Sequence, residues 1–156
     1  MDRPSLKFES LEQGLDYAFQ LMRDGHECQG RWNLSQCLGH LDQWLTFPMD
    51  GFPSAGIIGP VLWLMKVTSG KKQLQSILAD GFRPGIPTMP KTVPAADAQT
   101  VSDSYQALKQ TVARFASFDQ PIHASPVFGD VDKAAVRQLQ LRHFEHHLSF
   151  FKPKSA

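Results

Sequence analysis

Apolar residues recur three and four apart in four separated stretches of the chain, and nowhere do they alternate as a half-buried strand requires. Leu11, Leu15, Ala18, Leu21 and Met22 mark a helix over residues 10–24, with Ser10 and Gln13 spaced as a capping box and Gly25 as its stop. Asn33 and Gln36 have the same capping form. They precede Leu34, Cys37, Leu38, Leu41, Trp44 and Leu45, a broad apolar stripe that Pro48 is expected to end. Val101, Tyr105, Leu108, Val112 and Phe115 predict a helix over residues 97–118 capped by Asp97. Asp130 or Asp132 opens the last one, which carries Val136, Leu139, Leu141, Phe144, Leu148 and Phe151 and stops before Pro153. Residues 61–72 read as a further helix despite the β-branched Val61, Val67 and Thr68. Residues 81–94, with four prolines and two glycines, read as a long loop, a lid or a plain connection. The pattern predicts an all-α fold, a four-helix bundle with long crossover loops, in one domain over residues 1–156.

Composition narrows the partners. Sixteen Lys and Arg against 15 Asp and Glu give a net charge of +1, too little field to hold a nucleic-acid backbone or an anionic membrane surface. The most apolar run, residues 57–65, is broken by Gly59 and Pro60 and falls far below the ~20 residues that span a bilayer. The start, Met1-Asp2-Arg3-Pro4, lacks the apolar stretch of a secretory signal, so a cytoplasmic location is expected. Cys28 and Cys37 are expected to be reduced thiols, since two cysteines make no disulfide scaffold.

Histidine is distributed unevenly. Three of the six, His143, His146 and His147, crowd into five residues of the last helix, and His40 lies inside the second. Residues four apart on a helix differ by only about 40° around its axis, so His143 and His147 can chelate one ion from one face. His146 lies about 60° to the other side of His143, at the edge of such a site. His40 shares a face with Cys37, Leu41 and Trp44 and is the natural third ligand, three protein donors with an open position being the usual catalytic arrangement. The competing reading makes His40 and His143 hydrogen-bonded core residues and leaves His146 and Glu145 solvated. Asp42 and Glu145 flank the ligands about 200° off the ligand face and read as solvated. Trp32, Trp44 and Phe128 either line a pocket or simply fill the core. Cys37 is either a soft fourth ligand or a small buried apolar residue.

The segments Asn33-Leu34-Ser35-Gln36-Cys37-Leu38-Gly39-His40-Leu41 and His143-Phe144-Glu145-His146-His147-Leu148 resemble the two histidine-bearing helices of the DinB-like superfamily of metal-binding four-helix bundles. Pro126-Val127-Phe128-Gly129, followed at a fixed interval by the histidine run, resembles an uncharacterised bacterial branch of it. The likeness covers most of the chain, from the first helix to Phe151. It implies a bundle holding one divalent ion, zinc or nickel, on His40, His143 and His147. It also implies chemistry on a small substrate: relatives include thiol transferases that use low-molecular-weight thiols, isomerases and hydrolases. The chain departs from the branch at Ser125, where a histidine is usual, and at Val136, where a tryptophan is usual; His123 lies close enough to replace the loop histidine.

Three neutral imidazoles leave an ion its full charge, enough to acidify a bound water or to bind a thiol as thiolate. Taken with the resemblance, the expected activity is that of a metal-dependent transferase or hydrolase, and the rival is a non-catalytic structural or stress-related bundle whose histidines are vestigial or bind metal without turnover. No phosphate-binding loop, nucleophile elbow or dinucleotide fingerprint is present, and the Glu-x-x-His pairs of di-iron bundles are missing. A homodimer is expected from the spare apolar face that helical bundles of this size offer.

Overall fold

A computed structural model describes residues 3–83 and 92–154, and the protein is mostly helical. Helix α1 is Leu11–Arg23, α2 Leu34–Asp50, α3 Gly59–Met65, α4 Lys71–Asp80, α5 Val101–Ser117 and α6 Lys133–Leu148; strands β1, His26–Cys28, and β2, Phe151–Pro153, pair antiparallel. Helix α2 lies between α5 and α6, and α1 packs on the same two, so the four longest helices enclose one core. Leu38, Leu41, Leu45, Leu108, Phe144 and Leu148 are fully buried in it.

Contacts at the helix ends fix their directions. Ser35 Oγ and Ser104 Oγ lie 2.8 Å apart at the starts of α2 and α5, and Arg114 pairs with Asp50 at their far ends, so these neighbours run parallel. At the first of these ends the β1–β2 pair joins the entry to α2 to the exit from α6, and those two helices run antiparallel. Parallel neighbours cannot be joined by a tight turn. The chain therefore returns from the end of α2 to the start of α5, with α3 and α4 on the way.

The helix boundaries differ from expectation in physically informative ways. Ser10 caps α1 by accepting from the Gln13 N–H at 3.4 Å, but the Gln13 side chain accepts from the Glu9 N–H instead of closing the reciprocal box. Asn33 and Gln36 do form the full box. Gly25 follows α1 with φ of 78°, the left-handed region that glycine occupies without strain.

Pro48 does not stop α2, which continues to Asp50. A proline removes the N–H that would bond the carbonyl four residues back, here that of Trp44. The Gln140 side chain takes over that carbonyl, donating from Nε2 at 2.9 Å, so the interruption is satisfied from α6.

Helix α5 starts at Val101 rather than at residue 97, because Thr100 rather than Asp97 caps it, accepting from the Asp103 N–H at 3.1 Å. Asp132, not Asp130, caps α6. Phe151 falls outside α6, in β2, where it is buried. Three-residue strands are too short to leave an alternating pattern. The expected helix over residues 61–72 runs on to Asp80, through a π turn at Lys66–Gly70 between α3 and α4. At that turn a side chain on Gly70 would collide with the Val127 carbonyl, so only glycine lets the loop of residues 125–129 pack there. The loop expected at 81–94 falls largely on residues 84–91, outside the described residues.

Candidate metal centre

Helix α2 carries His40 and α6 carries His143 and His147, and the antiparallel packing of these helices brings the three imidazoles together. One ring nitrogen from each lies within 4.8 Å of the other two, so the trio could hold a metal ion. His40 Nε2 and His143 Nε2 are 3.3 Å apart. Two nitrogens each ~2.0–2.1 Å from a tetrahedral ion stand about 3.3 Å apart, so this pair already has the required spacing. His40 and His143 are buried, at 1% and 8% exposure.

The orientation of His40 is set from outside the helix. Its Nδ1 lies 2.8 Å from the Thr92 carbonyl oxygen, which can only accept, so Nδ1 carries the proton and the Nε2 lone pair faces His143. Burial holds His40 down to about 4, the Thr92 carbonyl opposing part of that shift. Burial lowers His143 and His147 well below the ordinary histidine range, and the neighbouring imidazoles push them further. The trio is therefore neutral near pH 7, the form in which imidazole donates to a metal.

Aromatic rings wall the cluster. Trp32 stacks on His147 with centroids 5.2 Å apart and planes 6° from parallel. Trp44 lies edge-on to His143 at 5.8 Å, and Phe82 packs on His143 at 5.3 Å and on His146 at 5.8 Å. Phe144 turns into the core instead, where a side chain on Gly14 would meet its ring at 2.6 Å. Trp44 Nε1 and Gln140 Oε1, a donor and an acceptor, are buried with no hydrogen-bond partner among the described residues.

A family model described as "Protein of unknown function (DUF1569)" matches residues 1–154. The chain belongs to that family. No curated protein and no solved structure matches it.

In this DUF1569 chain the other expected site residues separate. His146 is half-buried beside the trio, its ring edge-on to His147 at 4.9 Å, and burial lowers it to about 4. Cys37 is buried in the core and burial pushes its thiol up, which suits a small apolar residue and not a thiolate ligand. His123 does not approach the cluster: it is exposed at the far end of α2, where its N–H donates to the Pro48 carbonyl at 2.9 Å. Phe128 belongs to the tight turn closed by Ser125 and Gly129, with its N–H donating to Ser125 Oγ at 3.1 Å.

Glu145 is not solvated. It is buried, accepts from the Phe8 N–H at 2.9 Å and pairs with Arg142 at 2.9 Å, tying the N-terminal segment to α6. Asp42 is half-buried, and burial raises its carboxyl while the Thr111 side chain of α5 opposes part of that shift. Phe82 and Thr92 escaped sequence reasoning because they flank a proline-rich stretch with no periodicity. Gln140 carried a usable signal: it is a polar residue on the face of α6 that otherwise holds Val136, His143 and Phe144.

Proposed function

We propose that this protein is a DinB-like bundle enzyme that holds one divalent ion, zinc or nickel, on His40, His143 and His147. It would act as a transferase or hydrolase on a small substrate, with a low-molecular-weight thiol as the candidate nucleophile. The observation that carries the reading is the convergence of three neutral ring nitrogens within 4.8 Å. A bound ion would supply Lewis acidity there, making water or a thiol nucleophilic near neutral pH.

The chain's own residues do the rest. Thr92 fixes the His40 ring through Nδ1, and the Trp32, Trp44 and Phe82 rings lower the local dielectric, which strengthens any charge held at the histidines. Trp44 Nε1–H and Gln140 Oε1, which have no partner among the described residues, suit a substrate group that both accepts and donates a hydrogen bond.

The rival, a structural bundle that binds an ion without turnover, is favoured by the same aromatic shell, which packs directly on the histidine rings.

Elemental analysis of untagged protein tests the site. Near-stoichiometric metal in the wild type, lost in both His143→Ala and His147→Ala, is expected. Metal-free wild type after equilibration with zinc and nickel would overturn the proposal. Thiol-transfer and hydrolysis assays on the loaded protein then separate the enzyme from its non-catalytic rival.

A further inference from the structure

Whole-chain charge and composition conceal a local anomaly in the crossover. Ile57 is 98% exposed, Trp63 59%, Val61 58%, and Leu64 and Val67 55% each. Helix α3 contains no fully buried residue, its only half-buried side chains being Leu62 and Met65, and among the described helices and strands it packs chiefly on the single turn before it and the π turn after it. A helix apolar on nearly every side normally lies inside a protein. Large exposed apolar patches on soluble domains mark interaction surfaces.

We infer that this surface, centred on Trp63 and Leu64, is where two copies of the chain associate. With Ile58, its exposed apolar residues present on the order of 700 Å², an upper bound on what they bury against a second copy and of the same order as the ~800 Å² that each partner contributes to a standard stable interface. Its chemistry is compatible with itself. Residues 51–65 contain no charged side chain, so a twofold pairing sets no like charges face to face at its centre. Lys66, Lys71 and Lys72 follow on the exposed C-terminal side and supply the polar rim that interfaces keep in water. Gly56 adds close access: it is exposed with a φ of 51°, and among the described residues nothing lies within 4 Å of where its side chain would stand. The partner backbone can therefore approach there without displacing a side chain. The histidine trio and its walls include none of these residues, so this inference stands or falls separately from the metal site.

Sedimentation equilibrium of the full chain over a micromolar to submillimolar range is the test, with Leu64→Glu as the variant. Wild type should dimerise, and Leu64→Glu should weaken the dimer about 100-fold or more by placing a carboxylate in the centre of the patch. Leu64 is exposed in the single copy, so far-UV circular dichroism of the variant should match wild type. Hydroxyl-radical footprinting of the wild type gives a readout free of mutation: oxidation of Trp63 and Met65 should fall as concentration rises. A wild type that stays monomeric throughout, or a dimer indifferent to Leu64→Glu, would overturn the inference. So would a monomer that sediments with phosphatidylglycerol vesicles through Trp63, which would assign the patch to an anionic lipid surface instead.

Discussion

At the scale of single residues, the histidines carry a pH dependence whose sign is fixed by burial. In an unfolded chain an imidazole takes up a proton near pH 6.5, whereas the folded, metal-free protein keeps His40 and His146 neutral down to about 4. Between those values the unfolded state binds more protons. Stability is therefore complete above about pH 6.5 and falls as pH drops towards 4. Thermal melts of metal-free protein should show this loss, and His40→Gln together with His146→Gln should lessen it, with His143 and His147, which burial also lowers, carrying the rest. A melt profile equally steep in that double variant would assign the acid sensitivity elsewhere. Gly14 offers a packing test. A side chain there would stand 2.6 Å from the fully buried Phe144 ring, so Gly14→Ala should cost about 1–3 kcal/mol in urea unfolding despite the better helix propensity of alanine.

At the scale of elements, α2 and α6 are joined by a repair as well as by packing. Pro48 orphans the Trp44 carbonyl and Gln140 adopts it. Gln140→Leu should therefore cost about 1–3 kcal/mol, because a buried acceptor is left without a donor. In a Pro48→Ala background, where residue 48 regains its N–H, the same change should cost clearly less. A double-mutant cycle with no coupling between the two positions would show that the carbonyl finds another donor.

This repair also marks where sequence reading stopped. Caps at Ser10 and Asn33, the last helix's start at Asp130 or Asp132 and the i, i+4 histidines are legible because they depend on neighbours a turn away. Pro48 was misread as a stop because its rescue comes from residue 140, and Asp97 as a cap because Thr100 forms the better local bond with Asp103. Glu145 looked solvated for a similar reason, its partner Phe8 lying 137 residues away. His40, His143 and His147 could be chosen from spacing, but the walls formed by Phe82 and the anchor at Thr92 depend on how the crossover returns, which no local pattern encodes.

At the scale of the whole molecule, an ion on the trio would bind only the folded chain and so stabilise it. At free zinc about 100 times its dissociation constant, the gain is ~2.7 kcal/mol. For a 156-residue domain that should raise the melting temperature by roughly 5–10 °C. Calorimetry with and without zinc checks it, and His143→Ala should abolish the shift. An equal shift in that variant would place the stabilising ion elsewhere.

The parallel run of α2 and α5 has a kinetic corollary. His40 and His143 are 103 residues apart, and the stretch between them includes the return crossover and all of α5. Contacts at such separation close late, after most loop entropy has been spent. In refolding, an ion would thus meet a finished trio only near the end of the pathway. It would leave the folding limb of a chevron almost unchanged and bend the unfolding limb downward, acting as a latch on the completed chain and not as a nucleus for it.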